Sequence, residues 1–227
     1  MTRVKVCGLM SEADVEMAAS AGADSLGFVT EYPVPVPWNI PRKRSAELVA
    51  SAPPFVTTTA VVGGSVEDMV AIARAVRPQF LQLHGDETLE EIRNVCQALE
   101  GTGVKVLKAL RINVETGEAL FAVKDPFEAC ASLERSGIAG LVLDSKTSSR
   151  PAGTGRPLDW SSLRGLSGRI RLPLILAGGL TSKNVRQAID IVRPYAVDVI
   201  SGVERETGVK DFQLIKDFVK AAKDRDR

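Results

Sequence analysis

The chain has one histidine in 227 residues, and its three cysteines are widely spaced with no Cys-x-x-Cys pair. That set is too thin for a zinc or other metal centre. An odd number of distant cysteines makes no disulfide framework and suits a reducing cytoplasm. An excess of one charge is missing too. Lys and Arg number 29 against 28 Asp and Glu, a net charge of +1, so no overall field draws the chain to nucleic acid or membrane. No apolar run approaches the roughly 20 residues that cross a bilayer. The N-terminus enters a strand-like VKVCGL with no signal-peptide pattern. Low-complexity segments and interdomain linkers are also lacking. What remains is 44% hydrophobic residues, enough for a sizeable core. The length suits one compact α/β domain over residues 1–227.

Strand-like runs fall at 3–7, 24–30, 55–62, 79–83, 104–110, 139–143, 172–177 and 196–200. Helical patterns fall at 11–21, 43–51, 65–76, 87–99, 118–136, 159–166, 182–192 and 211–223. About eight β-then-α units over some 220 residues predict a (β/α)8 TIM barrel with an eight-stranded parallel sheet. Strands alternating with helices require parallel pairing and right-handed crossovers. An open doubly wound sheet is the alternative. It carries a GxGxxG turn after its first strand, and here Cys7-Gly8-Leu9 stands there instead.

The stretch Pro173 to Asp211 organises the rest. One apolar run, Leu174 to Leu176, ends in Gly178-Gly179, and a second, Ala196 to Ile200, ends in Ser201-Gly202. A helical pattern follows each stop. Glycines let an anion approach backbone N–H groups, and a helix N-terminus favours negative charge. Either loop alone reads equally as a tight turn. Two of them after the seventh and eighth strands point to a phosphate site.

Cys7 ends the first strand, at the face where such barrels carry chemistry. It reads as a nucleophile or general base, against the alternative of an inert buried thiol. Cys96 and Cys130 sit in helical patterns and look inert. Asp144 follows the apolar GLVL of the sixth strand, in position for a general acid, against a loop cap or salt bridge. Ala152 to Gly155 in the same loop are small enough to approach a ligand, and Asp159 reads as a helix cap. His84 ends the fourth strand and either contacts substrate or holds a loop carbonyl. Arg42 either grips a substrate carboxylate with its guanidinium fork or is an exposed first-turn arginine. Lys5 and Asp198 share inward parity on adjacent strands, which predicts a buried, structural ion pair. The proline-rich Tyr32 to Pro41 reads as a stiff, extended loop over part of the site. Around a closed barrel the phosphate loops lie between Asp144 and Cys7. A phosphosugar anchored there meets an acid at one end and a base at the other, as a proton-transfer isomerisation without a cofactor requires.

With these residues in place the chain resembles the phosphoribosylanthranilate isomerase family of tryptophan biosynthesis over nearly its whole length. Lys5 to Leu9, Leu81 to Gly85, Leu143-Asp144-Ser145 with Gly153-Thr154-Gly155 and Asp159-Trp160, Leu176 to Leu180 with Asn184-Val185, and Asp198 to Asp211 match its motifs in order. Three departures stand out. Ile40-Pro41-Arg42 replaces a frequent Ser-Pro-Arg, Ala152 replaces a glycine, and Ile200 replaces a frequent serine.

The resemblance implies an Amadori rearrangement of N-(5-phosphoribosyl)anthranilate to 1-(2-carboxyphenylamino)-1-deoxyribulose 5-phosphate. In it, Asp144 is the acid and Cys7 the base. Gly155, Gly179, Ser201 and Gly202 hold phosphate, His84 contacts substrate, and Arg42 holds the anthranilate carboxylate. A nearby cation or the following helix would lower the Cys7 pKa. The implied partner is a small phosphosugar, with the chain a monomer or a homodimer. Two rival readings are a related aminoaldose isomerase of histidine biosynthesis, which uses aspartate where Cys7 stands, and a non-catalytic phosphometabolite-binding barrel.

Overall fold

The computed structural model describes residues 1–147 and 156–224. Eight parallel strands run in order: β1 (Arg3–Val6), β2 (Ser25–Thr30), β3 (Thr57–Val62), β4 (Phe80–Leu83), β5 (Lys105–Asn113), β6 (Gly140–Lys146), β7 (Leu174–Leu176) and β8 (Ala196–Val199). Each pairs with its sequence neighbour, and β1 pairs with both β2 and β8, so the sheet closes into the expected barrel. The helices are α1 (Glu12–Ser20), α2 (Arg42–Ala50), α3 (Val66–Val76), α4 (Leu89–Ala98), α5 (Pro126–Leu133), α6 (Val185–Val192) and α7 (Phe212–Lys223).

The strands read as continuous apolar runs because both of their faces are buried. Outward residues such as Val4, Phe28, Leu81 and Leu143 join Leu48, Met69, Ile92 and Phe218 of the helices in the main core. Inward residues Leu107, Val142, Ile175 and Ala196 form a smaller cluster inside the barrel. Each fully buried side chain of this kind contributes about 1.5–3 kcal/mol, so the helix-to-sheet layer carries most of the stability.

Local signals explain most of the helix starts. Ser11 with Asp14, and Thr88 with Glu91, close reciprocal capping boxes at α1 and α4. Asp125 caps α5, whose first residue is Pro126. That proline corrects the helical pattern at 118–136. It lacks an N–H and cannot sit inside a helix, so the helix starts there. Residues ahead of it form turns, with Asn113 Oδ1 accepting from the Glu115 N–H at 2.8 Å.

The helical pattern at 159–166 is also corrected. Leu163 N–H donates to the Trp160 carbonyl and Leu166 N–H to that of Leu163, both three residues back, and a 3-10 turn follows at Leu166–Gly168. Buried Trp160, Leu163 and Leu166 are spaced by three, which suits tight turns as well as an α-helix. Asp159 accordingly caps a turn, its Oδ1 accepting from the Ser161 N–H at 3.0 Å. After β8 the chain makes a short 3-10 turn, Ser201–Val203, and a hairpin (Glu204–Glu206 with Val209–Lys210) before α7.

One ion pair outside the barrel fixes the end of β4. Lys108 Nζ lies 2.6 Å from Glu87 Oε2 and donates to the Gly85 carbonyl at 2.9 Å, while Glu87 Oε1 accepts from the Gly85 N–H at 2.8 Å. Both side chains are buried. Burial pushes the Lys108 pKa down, and the Glu87 carboxylate opposes that shift. Removing one partner of such a pair strands the other charge. Lys108→Met is therefore expected to cost about 3 kcal/mol in urea unfolding. A cost near zero would show that the pair does not hold this turn.

Candidate active site

Strand ends and loops of the barrel's C-terminal face surround one cavity. Cys7 of the β1 end, His84 after β4, Asp144 of β6, Gly179 after β7, and Ser201 with Gly202 after β8 all line it. Six of the residues singled out from sequence thus converge in space. Gly155 lies outside the described residues.

Arg42 stands apart from these residues. It does not line the cavity, and its guanidinium forks onto Glu31, with Nε and Nη2 at 2.9 and 2.6 Å from Oε2. Arg42 is the first residue of α2, directly after the loop's last proline, and its side chain is partly exposed.

Cys7 continues the ladder past β1, its N–H donating to the Val199 carbonyl at 2.9 Å. Its side chain is buried against Val29, Trp38 and Val61. The sulfur needs the space left by Gly27 on β2: a Cβ there would lie 2.5 Å from Sγ. Burial pushes the Cys7 thiol pKa up. The Lys5 and Lys210 ammonium groups pull it down and Asp198 pushes it further up, with a net rise. The expected lowering by a nearby cation is therefore outweighed in this pocket.

The expected pair between Lys5 and Asp198 forms, with Nζ 2.7 Å from Oδ2. Lys5 also donates to Gln82 Oε1 at 2.9 Å, and Gln82 Nε2 lies 3.1 Å from His84 Nδ1. His84 Nε2 is in turn 3.2 Å from Asp144 Oδ2. Asp144 is only partly buried, and its Oδ1 accepts from the Ser145 N–H at 2.8 Å. Asp198 Oδ1 is buried with no hydrogen-bond partner among the described residues, and Asp198 lines the cavity.

The side of the cavity beyond β7 and β8 is built largely from backbone. Gly178 and Gly179 both have positive φ, +84° and +63°. A Cβ on Gly179 would lie 2.5 Å from Pro157 N, so only glycine permits this close pass. Among the described residues no hydrogen bond occupies the N–H of Gly179, Ser201 or Gly202. Three free donors at the mouth of two adjacent loops can receive an anion.

The proline-rich segment forms the opposite wall. Tyr32, Val36 and Trp38 line the cavity. Asn39–Ile40 pairs beside β2, which anchors the end of the loop. Tyr32 Oη donates to the His84 carbonyl at 3.0 Å. Trp38 Nε1 donates to Glu204 Oε1 at 2.6 Å, and that oxygen is 2.7 Å from Lys210 Nζ. Gln82, Trp38, Glu204 and Lys210 were not assigned to the site from sequence. The signal for three of them was present: Gln82 lies in the Leu81 to Gly85 motif, and Glu204 and Lys210 in the one ending at Asp211.

Gly27→Ala is expected to displace the Cys7 sulfur and lower turnover at least tenfold, with cooperative unfolding retained. Wild-type turnover in that variant would show that Cys7 needs no space at Gly27.

Proteins of known type resemble this chain over nearly its whole length. The family model described as N-(5'phosphoribosyl)anthranilate (PRA) isomerase matches residues 4–221. A Haloferax volcanii protein named N-(5'-phosphoribosyl)anthranilate isomerase is 41% identical over 225 residues, covering 98% of this chain and 94% of its own. The solved structure of phosphoribosyl anthranilate isomerase from Thermotoga maritima superposes with a TM-score of 0.82 at 34% identity, covering 98% and 99% of the two chains. Another solved isomerase of that type, in complex with reduced 1-(o-carboxyphenylamino)-1-deoxyribulose 5-phosphate, gives 0.78 at 33% identity with the same coverage.

Proposed function

The chain belongs to the N-(5'-phosphoribosyl)anthranilate isomerase family, and from that premise we propose how its own residues carry out the Amadori rearrangement of tryptophan biosynthesis. The observation that carries the reading is the placement of Cys7 and Asp144 in one cavity with the free N–H groups of Gly179, Ser201 and Gly202.

The 5'-phosphate is held by those three N–H groups. Asp144, as the acid, gives its proton to the furanose ring oxygen. The bond from that oxygen to the first sugar carbon breaks, and the nitrogen lone pair forms the Schiff base. Cys7, as thiolate, takes the proton from the second carbon, which gives the enolamine. Protonation of the first carbon and loss of the hydroxyl proton at the second then give the ketose. Asp198 Oδ1, with an unused lone pair facing the cavity, accepts from a sugar hydroxyl. The apolar wall of Val36 and Trp38 packs on the anthranilate ring. Arg42 is the candidate for the anthranilate carboxylate, and to reach it the guanidinium must leave Glu31. Free thiols throughout the chain suit a cytoplasmic setting. Among the described residues no helix is long and apolar enough to cross a membrane.

The histidine-pathway alternative gains nothing from this site. A thiol stands at the β1 end, and the sequence relatives carry the anthranilate isomerase name.

The test generates phosphoribosylanthranilate in situ from anthranilate and phosphoribosyl pyrophosphate and follows the loss of its fluorescence. Rapid loss with wild type is expected. Cys7→Ser and Asp144→Asn should each be slower by about two to four orders of magnitude while still binding a product analogue. Near-normal turnover in either variant removes that residue from the chemistry.

The rise in the Cys7 pKa adds a pH signature. Below that raised value the thiolate fraction grows about tenfold per pH unit. Accordingly kcat/KM should climb from pH 7 towards 9, in step with alkylation of Cys7. A flat profile over that range would exclude a thiolate as the base.

A further inference from the structure

We infer that Gln82 is a positioning residue that fixes the tautomer of the single histidine: the Lys5 ammonium orients the Gln82 amide, the amide donates to His84 Nδ1, and the imidazole proton is held on Nε2 facing Asp144. The inference rests on the isomerase reading only for the role of Asp144.

The reasoning follows donors and acceptors across the barrel. A lysine ammonium has three donors and no acceptor. The Gln82 atom 2.9 Å from Lys5 Nζ must therefore be the oxygen. A flipped amide would set NH2 against NH3+, inside a barrel where Lys5 and Gln82 are both buried. The NH2 group then faces His84 Nδ1 at 3.1 Å. Two N–H groups cannot share that contact, so Nδ1 presents its lone pair. A neutral imidazole has one proton, which is left on Nε2, 3.2 Å from Asp144 Oδ2.

Lys5 stays charged in this role. Burial alone would lower its pKa, but the Asp198 carboxylate and the Cys7 sulfur outweigh that, and the net shift is upward.

The surroundings of His84 agree. The Tyr32 ring stands edge-on with centroids 6.2 Å apart, and its hydroxyl is spent on the His84 carbonyl. In the loop that follows, Asp86 is paired with Arg111 of β5, and Glu87 with Lys108. Asp144 of β6 is the carboxyl group set directly against the ring.

The consequence concerns where the acid's proton goes. An Nε2 lone pair beside Asp144 would accept that proton in competition with the sugar ring oxygen. With Nε2 already protonated, His84 cannot take it. The imidazole can only donate to the carboxylate left after transfer, which stabilises the group as its charge develops. The Lys5 ammonium on β1 thus selects the proton position on a ring at the end of β4. This contact is possible only across the lumen of a closed barrel.

Because His84 is the one histidine in the chain, its imidazole nitrogens are unambiguous in 15N-labelled, tag-free protein. Near neutral pH and without substrate, Nδ1 should resonate as an unprotonated nitrogen and Nε2 as a protonated one. Gln82→Glu keeps an oxygen for Lys5 but turns a second oxygen to Nδ1. The proton should then appear on Nδ1, and kcat should fall about tenfold or more with little change in KM. A protonated Nδ1 in wild type overturns the inference, and so does an unprotonated Nδ1 persisting in Gln82→Glu. If the variant does not fold, the wild-type spectrum alone decides. The spectrum is read without turnover, so failure of the isomerase assay would count against the function and leave the tautomer standing.

Discussion

A buried ammonium inside a closed sheet is the constraint on which the upper half of this barrel depends. Lys5 stands between Asp198 on the neighbouring strand and Gln82 across the lumen, and both contacts are short. A charge at that depth is tolerable only when paired and hydrogen-bonded. Meeting the requirement fixes the rotamers of Asp198 and Gln82. Those two in turn set what Cys7 and His84 experience one layer higher. The apolar cluster of Leu107, Val142, Ile175 and Ala196 gives this polar layer a dry base, which strengthens each of its electrostatic contacts.

Cys7 and Asp144 experience different surroundings in the cavity. Cys7 sits in an apolar niche and its thiol is pushed up. Asp144 sits nearer solvent, between a backbone N–H and an imidazole. The backbone donors of the glycine loops add no titrating group of their own between them. The cations that pull on Cys7, Lys5 and Lys210, are each held by a carboxylate, Asp198 and Glu204. The second of these pairs also ties down Trp38, so the stiff loop and the hairpin after β8 share one anchor.

Much of the fold was legible because both signals were strong. Eight apolar runs bounded by glycine or polar residues left little choice but a barrel, and the helical patterns at 11–21 and 87–99 begin at or beside the observed caps Ser11 and Thr88. The errors had physical causes. Pro126 cut a long helical pattern because it cannot donate. The spacing of Trp160, Leu163 and Leu166 fits turns as well as a helix. The pairing of Arg42 with Glu31 was not legible either, because nothing local in the sequence joins the two.

The sequence by itself determined which residues stand at strand ends, since strand period and glycine stops are local properties. Cys7, His84, Gly179, Ser201 and Gly202 were placed on that basis, while Asp144, expected to end its strand, lies inside β6, which pairs with β5 as far as Lys146. Only the tertiary structure decided which of them act on one another. Gln82 meets Lys5 across the lumen, and Trp38 meets Glu204 over 166 residues of separation. Such contacts depend on closure and register, to which no window of sequence has access. The raised Cys7 thiol belongs to the same class, because it is set by what packs around the sulfur and not by its neighbours in the chain.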